Sequence, residues 1–188
     1  MKNTKPKEKS KKKGKAKDAW GIPYEDYELA YQIGVHVVAG HPASGKTALA
    51  IRCITDCIWS GYPIVYVSLD MTKNAFYEHL EKKISPSEII NAKKNKLFFY
   101  SEVGEITKLL PYLQSLRNNG IKAAIIDFVQ LLKVNGNPLD TDHLVAILSA
   151  FALKHQMSII LLCQLPNNSK DVYPFAQTIH ILRKETEQ

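Results

Sequence analysis

The chain has 188 residues, 45% of them hydrophobic and 23% charged, with a formal net charge of +7. That is enough for one domain with a real core. No apolar run reaches the ~18 residues of a membrane-spanning helix, the N-terminus lacks the apolar stretch of a secretory signal, and three cysteines, an odd number, argue against a disulfide framework and for a reducing cytoplasm.

The charge is segregated. Residues 1–18 hold nine Lys against Glu8 and Asp18, so the other 170 residues carry 16 basic and 16 acidic side chains and are neutral. Met1 to Asp18 is Lys-rich and nearly free of apolar residues, which predicts a disordered tail. It reads as a solvated arm or as a non-specific electrostatic arm for nucleic acid, with acidic lipid or another acidic partner as the lesser alternative. Residues 19–33 read as a linker with a short helix. Tyr24, Tyr27 and Tyr31 fall on one helical face, with Glu25, Asp26 and Glu28 between them. That face either packs on its own domain or docks on a neighbouring subunit.

From residue 34 the pattern changes to that of an α/β domain running to residue 188. Val35 to Ala39 is a short β-branched apolar run, read as a buried strand. It leads into Gly40-His41-Pro42-Ala43-Ser44-Gly45-Lys46-Thr47, the Walker A pattern, followed by a Gly- and Pro-free helix from Ala48. Strand, Gly-rich loop and helix in that order form a phosphate-binding loop. The glycines let several backbone N–H groups converge, and the helix N-terminus adds partial positive charge. Lys46 is expected to reach the β- and γ-phosphates of ATP, and the Thr47 hydroxyl to ligate Mg²⁺. Cys53 and Cys57, four apart on that helix, read as packing residues, and the six histidines show no ligand spacing.

A second strand is expected over Ile64–Ser68, ending at Asp70. Thr72 caps a helix to about Lys83. Ser85-Pro86-Ser87-Glu88 is a capping box with Pro at the first helical position, opening a helix to about Lys94. Leu97–Tyr100 reads as a third strand. The helix over 105–117 is expected to kink or restart at Pro111, and Asn118-Asn119-Gly120 stops it. Lys122–Asp127 is an apolar strand ending in an acid, the shape of a Walker B element whose Asp127 orders Mg²⁺. Residues 133–141 read as a polar loop, 142–156 as a helix, Ser158–Cys163 as a strand with Gln164 at its end, 166–173 as a second polar loop, and Thr178–Leu182 as a last strand. Alternating strands and helices predict a mostly parallel sheet with helices on both faces. Ligands are expected at the carboxyl ends of its strands.

Four segments resemble the ATPase domain of DnaB-type replicative helicases, within the RecA-like class of P-loop NTPases. Gly40–Thr47 with Ala48 resembles that family's P-loop. Val67-Ser68-Leu69-Asp70-Met71 is similar to its Ser-Leu-Glu-Met segment, Ile126–Leu131 to its Walker B segment, and Gln164-Leu165 to its sensor segment. The resemblance covers about 34–183 and implies a RecA-like fold, ATP and Mg²⁺ as ligands, and Asp70 as general base for the attacking water. It implies that Gln164 senses the γ-phosphate, and that single-stranded DNA or another nucleic acid lies against the loops at 133–141 and 165–177. Those loops carry Lys133 and Lys170 as cations. It further implies a homo-oligomer or a partner ATPase, with a basic residue reaching a neighbour's site in trans. Arg183-Lys184 is the nearest basic pair. Asp70 departs from the family's Glu and withdraws the carboxylate by about one C–C bond, a displacement near the ~1 Å that can cost about 10²-fold in rate. The expected function is an accessory or reduced helicase-like ATPase in DNA replication or recombination. The alternative is a non-helicase, ATP-dependent switch. A P-loop kinase is disfavoured because no Arg-rich lid is visible.

Overall fold

The computed structural model describes residues 24–101, 104–165 and 174–182. The expected positions Lys170, Arg183 and Lys184, and the tail at 1–18, lie outside the described residues.

A 3₁₀ helix over Tyr24–Tyr31 comes first, and its Leu29 and Ala30 are buried. The short helix read from the tyrosine spacing is therefore wound at three residues per turn, not 3.6. Strand β1 (Gly34–Gly40) is buried along its whole length and runs through a loop into α1 (Lys46–Ser60). Strand β2 is Ile64–Ser68, helix α2 Lys73–Glu81, helix α3 Pro86–Asn95 and strand β3 Leu97–Tyr100. Thr72 caps α2, and Ser85 with Glu88 forms the expected capping box on α3.

Helix α4 runs unbroken over Ile106–Asn118 with Pro111 inside it, which corrects the expected restart. Pro111 itself is exposed, while Ile106 and Leu109 before it and Leu113 and Leu116 after it are buried. An interior Pro costs ~3 kcal/mol. Four buried aliphatic side chains at ~1.5–3 kcal/mol each outweigh that and hold the helix together across Pro111.

Strand β4 is Ala123–Asp127. The expected loop at 133–141 instead contains a small antiparallel hairpin, β5 (Lys133–Val134) and β6 (Asn137–Pro138). Helix α5 (Thr141–His155) and strands β7 (Ser158–Gln164) and β8 (Thr178–Leu182) complete the described chain.

The large sheet has the order β3-β2-β4-β7-β1-β8, and every neighbouring pair is parallel. Helices α4 and α5 cover one face over Val35, Val37, Ile126 and Leu161. Helices α1, α2, α3 and the 3₁₀ helix cover the other over Val38, Tyr66, Ile125 and Leu162. Because β7 lies between β1 and β4, the ends of all three strands reach one edge side by side. Gly40 pairs in register with Gln164, Leu162 with Asp127, and Asp127 with Ser68.

Candidate nucleotide-binding site

The loop between β1 and α1 is bent by backbone conformations that ordinary residues avoid. Gly45 sits at φ +96° as the N-cap of α1, and Ala43 sits at φ +59°. A non-glycine residue held in the left-handed region is backbone strain of the kind that clusters at ligand clamps. Gly40 is required for a different reason: a Cβ there would lie 2.3 Å from Ser44 Oγ and 2.9 Å from the Leu182 carbonyl oxygen. At Gly45 a Cβ would meet nothing within 4 Å, so the loop opens onto free space there.

That space is a cavity of about 520 Å³ at the carboxyl edge of the sheet. It is lined by the loop and first helical residues Pro42–Ala48, and by Asp70, Phe128 and Gln164. The site residues expected from sequence at 42–48, 70 and 164 therefore share one cavity. Lys46 is only 5% exposed, and its ammonium donates to the carbonyls of Gly40 (2.7 Å) and His41 (2.8 Å). Burial pushes its pKa down, and the nearby Asp127 carboxylate pulls it back up. Its Nζ also lies 5.9 Å from the centre of the Phe128 ring.

Asp127 lies behind this wall, 2% exposed. Its Oδ2 accepts a hydrogen bond from the Tyr66 hydroxyl at 2.5 Å, while its Oδ1 is buried without a protein partner. Burial raises the Asp127 pKa and the Asp70 charge raises it further, against the lowering effects of Tyr66 and Lys46. Among the described residues three buried side-chain polar atoms lack a partner, and two of them, Asp127 Oδ1 and Ser44 Oγ, are at this site. The Asp127–Phe128 peptide bond is cis.

The donor set fits Mg²⁺. The Thr47 hydroxyl and the unpartnered Asp127 oxygen are hard oxygen donors. Among the described residues no group of three or more His, Cys, Asp or Glu is placed to cage a metal. Mg²⁺ characteristically takes one or two protein oxygens and completes its shell with water and substrate phosphates.

Two further contacts fix the outer residues. Asp70 is exposed at a turn after β2, where the Ser68 hydroxyl donates to the Met71 carbonyl (2.7 Å) and accepts from the Met71 N–H (2.9 Å). The Gln130 side chain clasps the backbone of Gln164: its Nε2 donates to the Gln164 carbonyl (2.9 Å), and its Oε1 accepts from the Gln164 N–H (3.4 Å). Sequence reasoning quoted Ser68, Phe128 and Gln130 within their motifs without giving them a role, and gave Tyr66 no role beyond its strand. Lys133, expected at a nucleic-acid loop, is exposed at the start of the hairpin. There its backbone N–H donates to the Gly104 carbonyl (2.7 Å), away from the cavity.

A parallel sheet of this order, with a Walker A loop and an acid-ended strand meeting at one edge, is a RecA-like P-loop NTPase fold. Among solved structures the chain is similar to the ATPase domain of G40P, with a TM-score of 0.57 and 16% identity, over 71% of this chain and 58% of that one. It is also similar to the KaiC-like protein PH0186 from Pyrococcus horikoshii OT3, with a TM-score of 0.65 and 17% identity, over 82% of this chain and 74% of that one. This chain thus spans little more than half of the G40P domain. At these identities the likeness is one of fold, and it agrees with the RecA-like fold expected from the four motifs. No family model matches the chain, and no curated protein matches it in sequence. No helix among the described residues is long and apolar enough to cross a membrane.

Proposed function

We propose that this chain binds Mg²⁺–ATP in the cavity at the β1–α1 loop and hydrolyses it slowly. On this reading it is an accessory DnaB-like ATPase that acts on single-stranded DNA or another nucleic acid. The observation that carries the reading is the convergence of Lys46, Thr47, Asp70 and Gln164 on one cavity, with the unpartnered Asp127 oxygen behind it.

The backbone N–H groups of the loop and the Lys46 ammonium hold the phosphates. Lys46 exchanges its two carbonyl partners for phosphate oxygens, which return the charge that burial disfavours. Mg²⁺, when bound through Thr47 and Asp127, draws off charge from the phosphate oxygens. Asp70 accepts a proton from the water that attacks the γ-phosphorus, the bond to the bridging oxygen breaks, and ADP and phosphate leave. Gln164 reports the occupancy of the γ-position to Gln130 and to the chain that follows it.

Slow turnover follows from the shorter Asp70 side chain and from the need for a trans-acting cation. Such a cation contributes about 10³–10⁵ in rate in other P-loop enzymes, and Arg183 or Lys184 of a neighbouring copy is the candidate. The Gln130–Gln164 clasp favours a second reading, in which bound ATP sets a switch and turnover only resets it.

The test is steady-state phosphate release with and without single-stranded DNA, in the intact chain and in Asp70→Asn. The expected result is weak release from the intact chain, and release at least 10²-fold lower in the variant with ATP binding retained. An unchanged rate in Asp70→Asn would move the base elsewhere.

A further inference from the structure

We propose a second ligand site, at the open edge of strand β3, that takes a nucleotide unit of single-stranded nucleic acid: a base against aromatic rings and its phosphate on lysine ammonium groups. The inference deepens the nucleic-acid part of the proposed function and rests on that reading, but it does not depend on ATP hydrolysis.

Strand β3 ends the sheet on the side away from β8, with β2, β4 and β7 between it and β1. A cavity of about 300 Å³ lies there, lined by Lys73, Tyr77, Lys93, Leu97, Phe98 and Phe99. Phe98 and Phe99 are consecutive on a strand and point to opposite faces. Phe98 packs on the α4–α5 side and Phe99 on the α1–α3 side. Tyr77, Leu97 and Phe99 belong to the α1–α3 side, so the cavity lies on that side at the free edge of the sheet, where Phe98 also borders it. Its volume is at the low end for a small-molecule site, ~300–1,000 Å³, which suits a single nucleotide unit.

Its chemistry is aromatic and cationic. Tyr77, Phe98 and Phe99 are all half-buried, and Lys73 stands one turn before Tyr77 on α2. The Lys93 ammonium, from α3, lies 3.7 Å from the centre of the Tyr77 ring. Rings interleaved with ammonium groups along a groove are how single strands are held without sequence preference. Both charged residues that line the cavity, Lys73 and Lys93, are cations. The expected loop positions supply one described cation, Lys133, which lines neither this cavity nor the one at the β1–α1 loop. An acidic peptide added along β3 is the competing occupant. A four-residue edge strand offers it few backbone bonds, and rings gain less from a carboxylate than from a base.

The test uses the full chain and a fluorescent oligothymidylate, against the same backbone with abasic sites. Contacts to residues 1–18 bind both through phosphate, so the difference between the two oligonucleotides reads the aromatic site. The intact chain is expected to prefer the base-bearing strand. Tyr77→Leu should weaken that strand about tenfold or more, the loss of one stacked base, and Tyr77→Phe should restore it. Lys93→Gln, an exposed position that keeps the fold testable if Tyr77→Leu melts early, should lower the salt slope by about 0.7. A 5-iodouridine strand should crosslink to Tyr77, Phe98 or Phe99. Lys46→Ala should bind the oligonucleotide normally, which separates failure here from failure at the ATP site. Equal affinity for abasic and base-bearing strands, crosslinks confined to residues outside 73–99, or displacement by oligoglutamate at matched charge would each overturn the proposal.

Discussion

The Asp127 carboxyl shows how one side chain at this edge is set for a ligand and against stability. It is buried, one oxygen is held by Tyr66, and the other has no protein partner. Burial keeps its pKa above the ordinary carboxylate value in the folded chain. The folded state therefore holds this proton to higher pH than the unfolded state does. Its contribution is fully present below the ordinary carboxylate pKa and is lost as pH rises through the raised value. Replacing Asp127 by Asn removes the charge but keeps an acceptor for Tyr66. The nucleotide-free variant should melt higher at neutral pH, on the order of 2 °C or more for a chain of this size, with the difference vanishing at acid pH. It should also lose the rise in melting temperature that Mg²⁺–ATP gives the intact chain. A scanning-fluorimetry series in pH and nucleotide checks both halves. An unchanged nucleotide response would remove Asp127 from the metal shell. The sequence pointed to Asp127, because an apolar strand ending in an acid follows a P-loop. It did not point to Tyr66, which reads as one more core residue of β2. Their contact is a diagonal one: Tyr66 pairs with Ile125 on the neighbouring strand, two residues before Asp127 on the same face. Finding it requires knowing that β2 and β4 are neighbours in that register.

Element boundaries were legible at the two helix starts where the sequence offered a recognisable cap, Thr72 and Ser85. Ser85 is the clearest: its N–H donates to Glu88 Oε2 (2.8 Å) and its Oγ accepts from the Glu88 N–H (3.4 Å). Ser85→Ala should cost about 1 kcal/mol, seen as a melting temperature lower by ~2–4 °C. ATP affinity should not change, since α3 does not line the cavity. At the other end of a helix, Gln156 caps α5 in the left-handed region at φ +51°. Gln156→Gly relieves that conformation and should stabilise the chain by roughly 0.5–1 kcal/mol, measurable by urea denaturation; a loss of stability would contradict the assigned cap. The hairpin at 133–138 was legible and went unread. Asn135-Gly136 is a two-residue hairpin dipeptide, and the structure holds both residues at positive φ, +52° and +78°. Pro111 misled in the opposite direction, because local propensity was outweighed by the buried stripe on either side of it.

For the whole molecule, the parallel α/β class followed from alternation alone, but the strand order did not. Nothing in the residues of β7 says that it enters between β1 and β4, yet that insertion brings Gln164 beside both the phosphate loop and Asp127. Charge is also a property at this scale. With the surplus of +7 confined to residues 1–18, deleting them should flatten the dependence of log K on log salt for any nucleic acid bound. Equal slopes for the two chains would leave the tail as a solubilising arm. The central claim is that the β1–α1 cavity is a Mg²⁺–ATP site held by Lys46, and calorimetric titration of Mg²⁺–ATP into the intact chain and into Lys46→Ala tests it most directly. The account predicts saturable one-site binding to the intact chain, and binding weakened beyond detection in a variant whose circular dichroism is unchanged. Equal affinity in the two proteins would contradict it.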